Sequence, residues 1–187
     1  MQVIANPSQP AASSWSWQQW CGGIAVQFNI VCGELNHKQG FAQLSFIQRD
    51  NPAGKAEARN HGVQSANSDL IIISDADMIP APGFVQTHYD AHQASHSECC
   101  FEGLAYNLET YDWPPTQPLK QTQVPLKYKN KSRLDWYYFL TGNISFSRSI
   151  FLELGGFSHD FKNYGWEDLE LGYRFKKQRI PLYYLND

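Results

Sequence analysis

Short apolar runs separated by polar breakers set the rhythm of this chain. Ile24 to Val31 alternates, with Ile24, Val26, Phe28 and Ile30 apolar, and predicts a strand; Leu44 to Ile47 predicts a second, after a polar, turn-like Asn36 to Gly40. Asn51-Pro52-Ala53-Gly54 breaks the pattern, and Lys55 to Ala66 is rich in helix formers. Leu70 to Ile73 is a continuous apolar run, mostly β-branched, as expected of a strand buried on both faces of a parallel sheet. Pro82 suits an early helical position, and Phe84, Val85, His88 and Tyr89 then form a helical stripe. Phe101 to Tyr106 returns as a strand, and the alternation at Ile144 and Phe146 predicts another. A helix from Ser149 to Leu154 stops at Gly155-Gly156. The last helix carries Leu169, Tyr173 and Lys176, with Glu170 and Arg174 paired four residues apart, and Pro181 to Tyr184 reads as a final strand. Strands alternating with helices predict the α/β class, with a mostly parallel central sheet flanked by helices.

Two stretches resist this reading. Residues 1–23 are rich in Ser, Gln, Pro and Trp without a period, so Trp15, Trp17 and Trp20 are read as packing or irregular structure. Residues 111–133 form a long loop with Pro114, Pro115, Pro118 and Pro125 and several lysines, of a length often found in substrate-facing lids.

Composition narrows the class. At 187 residues and 42% hydrophobic, the chain suits one domain, residues 1–187, with a real core. A net charge of -3 and the lack of a long basic run leave no electrostatic footprint for nucleic acid. Cys21, Cys32, Cys99 and Cys100 show no C-x-x-C spacing, which favours free thiols and a reducing compartment. No run of about 18 apolar residues and no signal-peptide pattern occur, so a cytoplasmic protein is expected, with peripheral membrane association left open.

The candidate chemistry gathers at Asp69 to Pro80. Asp75 and Asp77 directly follow the Leu70 strand, where open α/β sheets place ligands, and close carboxylates need a cation or hydrogen-bond donors between them. Oxygen ligands of this kind suit Mg²⁺ or Mn²⁺ acting with substrate phosphates; a solvated Asp turn is the alternative. Lys55 and Arg59 share a helix face just upstream and can meet phosphate oxygens, or simply line a solvated basic face. Gly142 permits close approach of the backbone to a ligand, and Asn143 follows it. Glu167 and Asp168 open the last helix, where the macrodipole favours ionised carboxylates fit for a general base, or for capping alone. His88, His92 and His96 recur every fourth residue, but without a zincin glutamate they read as a partly exposed ladder rather than a zinc site.

Two blocks of the chain resemble family 2 glycosyltransferases of the type-A fold. The first is Phe46 to Phe84, with Gly54-Lys55-Ala56-Glu57-Ala58-Arg59-Asn60-His61-Gly62 leading to Ser74-Asp75-Ala76-Asp77. The second is Thr141 to Lys177, with Gly142-Asn143-Ile144-Ser145-Phe146, then Gly155-Gly156-Phe157, then Gly165-Trp166-Glu167-Asp168; it is similar to the C-terminal segment of galactosyltransferases and chondroitin-polymerase-like enzymes. The resemblance implies a Rossmann-like domain that moves a sugar, with inversion, from a nucleotide-diphosphate sugar, UDP-sugar foremost, to a saccharide or other hydroxyl acceptor in polysaccharide biosynthesis. It implies a DXD motif in which Asp77 binds Mn²⁺ or Mg²⁺, Asp75 meets the metal or the ribose, and Lys55, Arg59, Gly142 and Asn143 line the nucleotide. Asp168 would be the general base and Glu167 would orient the acceptor. The family's N-terminal base-binding loop and a late metal-binding histidine have no counterpart here, so the fold is expected to be truncated at one or both ends. The rival readings are a non-catalytic nucleotide-sugar or carbohydrate-binding remnant, and a nucleotidyltransferase, for which residues 1–23 offer no basic triphosphate loop.

Overall fold

The computed structural model describes residues 26–32, 42–48, 54–75, 78, 80–81, 83–107, 120–121, 128–161 and 165–186. The expectations placed on residues 1–23, the Asn36 to Gly40 turn, the 51–53 breaker, Asp77, Pro82 and most of the 111–133 loop fall largely or wholly outside these residues.

Strands β1 (Val26–Cys32) and β2 (Ala42–Gln48) pair antiparallel as a separate ribbon, with Phe28 opposite Phe46. Helix α1 (Lys55–Ser65) leads into β3 (Leu70–Ser74), and α2 (Phe84–Gln93) leads into β4 (Cys100–Gly103). After short β5 (Tyr106–Asn107) and β6 (Lys120–Gln121), the chain returns through β7 (Arg133–Leu134) and a 3₁₀ turn at Trp136–Tyr138. It continues through β8 (Asn143–Ser147), α3 (Arg148–Glu153), α4 (Glu167–Lys177) and β9 (Leu182–Leu185). The main sheet has the order β3-β8-β4-β9-β7.

The α/β class and the Rossmann-like type-A architecture hold, but the sheet is mixed rather than mostly parallel. Strands β3, β4 and β9 run one way, while β8, antiparallel to both β3 and β4, and β7, antiparallel to β9, run the other. The reason lies in the connection. Among the described residues no helix of more than a 3₁₀ turn lies between β4 and β8, and β8 begins at the rim where β4 ends, so it runs backwards between its neighbours.

Strand alternation divides the polar and apolar residues between two faces. On one face Ile71 lies opposite Phe146 and Ile73 opposite Ile144, and these join Phe151, Phe157, Leu171, Phe175 and Tyr184 in the main core beneath α1, α3 and α4. On the other face Phe101 and Leu185 pack with Ala91 and Cys99 under α2. Cys99 and Cys100 are free and buried, and burial pushes both thiols up from the usual range.

Three polar locks hold the helices to this frame. Arg148 donates to the carbonyls of Val63 and Gln64 at 3.0 Å each, tying β8 and α3 to the last turn of α1. Asn60, buried, donates through Nδ2 to the Phe157 carbonyl at 2.8 Å and accepts from the Phe157 N–H at 2.7 Å, so its amide stands in for a strand neighbour. Arg174 holds Glu170 and donates to the carbonyls of Leu154 and Gly156 at 2.6 Å, tying α4 to the end of α3. Gly156 has to be glycine: its φ is +70°, and a Cβ there would stand 2.5 Å from Asn60 Oδ1.

Candidate active site

The carboxyl ends of β3 and β4 and the amino end of β8 share one rim of the sheet, and the 142 position bonds across it. Asp75, the first residue past β3, donates its N–H to the carbonyl of Gly142 at 3.3 Å. On the same rim α4 begins after two residues in the left-handed region, Gly165 at φ 106° and Trp166 at φ 73°, which turn the chain sharply into the helix. Glu167 then accepts the N–H of Gly165 through Oε2 at 3.0 Å, a local cap on that turn.

Arg59, four residues into α1, joins these pieces. Its Nη1 lies 3.1 Å from Glu167 Oε1 and 3.0 Å from Asp168 Oδ1, while Nη2 lies 3.4 Å from Asp75 Oδ1. The guanidinium also sits 5.6 Å from the centre of the Phe157 ring, beside the Asn60 lock. One cation therefore stands among three carboxylates from two distant parts of the chain. Their exposures differ: the Asp75 side chain is 45% exposed, Asp168 22% and Glu167 6%.

Asp168 has the richest set of partners. Its Oδ1 faces Arg59, and its Oδ2 accepts from the Thr141 hydroxyl at 2.9 Å and the Thr141 N–H at 3.3 Å. Burial raises its pKa above the ordinary aspartate value, against the opposing pull of Arg59 and of Thr141. The result is a partly desolvated carboxylate of strengthened basicity, aimed by two neighbours.

The family model for glycosyl transferase family 2 matches residues 35–155. The chain belongs to glycosyl transferase family 2. A second model, described as the N-terminal domain of galactosyltransferase, matches residues 126–186. Among curated proteins, the chain is 25% identical over 161 residues to validoxylamine A glucosyltransferase of Streptomyces hygroscopicus subsp. jinggangensis, covering 73% of this chain and 38% of that protein. It is 26% identical to hyaluronan synthase of Pasteurella multocida, covering 68% of this chain and 16% of that protein, and 24% identical to chondroitin synthase of Escherichia coli, covering 70% and 24%. The chain thus spans well under half the length of these relatives. A crystal structure of GalNAc-T7 with UDP, GalNAc and Mn²⁺ superposes with a TM-score of 0.54 at 18% identity, over 73% of this chain and 30% of that one, and so shares the fold.

Within this family 2 domain, the sequence-predicted residues separate into two groups. Arg59, Asp75, Gly142, Glu167 and Asp168 come together on one rim, and Lys55, exposed, opens α1 one turn before Arg59. Asn143 faces the other way. Its Nδ2 donates to the carbonyl of Leu104 at 3.0 Å and its Oδ1 meets His88 Nε2 at 2.8 Å, both on the α2 side, so its side chain is not on the rim with Asp75. Asp77 lies outside the described residues.

The histidine ladder is partly exposed, as read from the sequence, and its inner end is buried. His88 is 2% exposed, His92 is half-buried, and only His96 is exposed. Ser145 Oγ lies 2.7 Å from His88 Nδ1 and 2.9 Å from His92 Nε2. Because the Leu104 carbonyl can only accept, Asn143 presents its oxygen to His88, whose Nε2 then carries the proton. Ser145 must therefore donate to His88 Nδ1 and accept from His92 Nε2. Both rings sit neutral in this chain, with pKa values lowered to about 4, chiefly by burial.

Sequence reasoning misses three contributors. Thr141 reads only as the start of a motif, and Asn60 stands beside Arg59 with no sign of its lock on Phe157. Glu102 passes unnoticed, although an acidic residue inside the apolar run Cys99 to Leu104 is a signal in itself.

A divalent metal is implied by the fold family, and the donor set permits it in one place. Among the described residues no group of three His, Cys, Asp or Glu side chains could hold a metal ion, and Arg59 supplies the positive charge among Asp75, Glu167 and Asp168. Asp75 keeps an exposed carboxylate with hard oxygen donors of the kind Mg²⁺ and Mn²⁺ take. Gly142 stands directly beside it, since a Cβ there would be in van der Waals contact with Asp75 Oδ2 at 3.7 Å. Those residues fit an ion shared with a phosphate-bearing ligand rather than an all-protein cage.

Proposed function

We propose that this domain transfers a sugar from a nucleotide-diphosphate sugar to an acceptor hydroxyl, with inversion at the anomeric carbon. The observation that carries the reading is the Arg59 junction, which unites the carboxylate past β3 with the pair opening α4. Donor and acceptor chemistry then occupy one rim. Asp168 takes the proton from the acceptor hydroxyl, whose oxygen forms the new glycosidic bond as the bond from the sugar to the diphosphate oxygen breaks. Its greater exposure and raised pKa support choosing Asp168 over Glu167, which is held inside by Arg59 and the Gly165 N–H and braces the acceptor side. Arg59 serves as the strut of the rim, and Lys55, exposed one turn earlier, is the cation for the donor's phosphates. Asp75 and Asp77 would hold Mn²⁺ or Mg²⁺, which when bound supplies positive charge against the departing diphosphate. The UDP and Mn²⁺ in the GalNAc-T7 crystal structure support trying that pair first.

Calorimetric titration with UDP and then GDP, each with and without Mn²⁺, tests the reading. Metal-dependent binding is expected, and lost in Asp77→Ala. Unchanged nucleotide affinity in that variant, or no binding of either nucleotide to the folded chain, would sink it.

A further inference from the structure

Directly beneath the rim, on the main-core side of β4, lies a carboxyl group that the proposed reaction does not use. Glu102 is 1% exposed, opposite Ile144 on β8 and Tyr184 on β9. Its one hydrogen bond among the described residues is from the Leu140 N–H to Oε2 at 3.1 Å. A buried carboxyl among apolar neighbours is costly, so a core position that keeps one calls for a reason.

The reason lies in the two residues after Leu140. The first, Thr141, gives Asp168 two of its three hydrogen bonds, and the second, Gly142, accepts the N–H of Asp75. The turn from Leu140 to Gly142 therefore holds the carboxylate of Asp168 and the backbone of Asp75. Leu140 N–H itself would otherwise be an unsatisfied donor at the edge of the core, free to turn toward any acceptor. We propose that Glu102 is a positioning residue, holding the Leu140 to Gly142 turn so that Thr141 presents its two donors to Asp168 and Gly142 its carbonyl to Asp75.

Reach, not charge, is what this role requires. Burial pushes the Glu102 carboxyl well above the usual range, and the charges of Asp168 and Asp75 push it further, so the neutral acid is the favoured form. Its carbonyl oxygen accepts from Leu140 as an amide oxygen would. A group acting instead as a proton carrier or counter-charge would need to ionise.

The inference rests on Asp168 being the base, and two conservative variants separate it from that reading. Glu102→Gln keeps length and acceptor but cannot ionise; Glu102→Asp keeps the acid but withdraws it by one methylene. Positioning predicts that the Gln variant keeps the transfer rate within about twofold and the wild-type pH profile, while the Asp variant loses on the order of tenfold in kcat. In the Asp variant the acid limb of the profile also moves to higher pH, because weakened Thr141 donation no longer holds down the pKa of Asp168. The reverse pattern, an inactive Gln variant and an Asp variant like wild type, overturns the proposal. Amide hydrogen exchange reads the same role without turnover: exchange at Leu140 and Thr141 should accelerate about tenfold or more in the Asp variant and stay slow in the Gln variant. Exchange unchanged in both variants overturns it too. Variants that show this exchange pattern, with a wild-type chain that transfers no sugar, would refute the proposed reaction and leave the positioning role standing.

Discussion

Two polar clusters lie at the rim and on the α2 face of the sheet, and they solve the same problem in opposite ways. On the rim side Arg59 faces three carboxylates, and at least one of them, Asp75, stays well exposed. On the α2 side His92, Ser145, His88, Asn143 and the Leu104 carbonyl form a chain of neutral groups, sealed at Ser145 and His88. Charge is kept where water or a ligand can reach it, and where neither can, every proton is shared and no group ionises. The contrast separates what the molecule keeps for chemistry from what it keeps for structure.

The largest expected effect breaks the charged side alone. Asp168→Asn should cut transfer by a factor on the order of 10² to 10⁴, as for loss of a general base, while nucleotide affinity stays within about threefold. Single-turnover transfer and calorimetry would check it, and an active variant would move the base elsewhere. Acid should break the neutral side next. His88 and His92 have folded pKa values near 4, below the unfolded 6.5, so the unfolded chain takes up protons first. The stability they contribute is complete above pH 6.5 and is lost as pH falls toward 4, about 3 kcal/mol for His88 and less for half-buried His92. Asp168 and Glu102 have raised pKa values and slope the other way. Urea midpoints of wild type and His88→Gln should therefore be compared across this range, and parallel curves would refute the neutral network. The smallest effect sharpens the division. Ser145→Ala strips a partner from both histidines and should cost about 2 kcal/mol in urea unfolding while leaving the transfer rate within about twofold. A fall in rate like that of Asp168→Asn would mean that the two sides are not independent.

Much of the frame is legible in the sequence because it depends on local pattern. The apolar Leu70 to Ile73 run forms β3, the Lys55 to Ala66 stretch forms α1 with an end one residue earlier, and Gly155-Gly156 stops α3. Arg59, Asp75, Glu167 and Asp168 stand out as candidates because motif residues carry their chemistry in their identity. Their meeting at Arg59 does not, since it joins residues 108 and 109 positions apart. The direction of β8 is equally hidden: its alternation suits either sense, and only the return of the chain to the same rim decides it. The burial of His88 within the partly exposed ladder is hidden for a related reason. A helix written alone looks half polar, but Ser145 and Asn143 on the facing strand supply the partners that let His88 be buried.

The placement of β8 has a consequence for how such domains diverge. The chain leaves β4 at Leu104 and, after rejoining the sheet at β7, reaches the start of β8 past Leu140; both of these points are fastened to the frame, one by Asn143 on the Leu104 carbonyl at 3.0 Å, the other by Glu102 on the Leu140 N–H at 3.1 Å. Chain length between two pinned points costs little, about 0.6 kcal/mol for each doubling of a flexible loop. Residues 108–119, between the paired β5 and β6, can therefore be gained, lost or exchanged while the carboxylates, Arg59 and the register of β8 stay where they are. Variation in that connection is thereby uncoupled from retention of the Arg59 rim, and a graft of residues 108–119 is the natural unit for varying this domain.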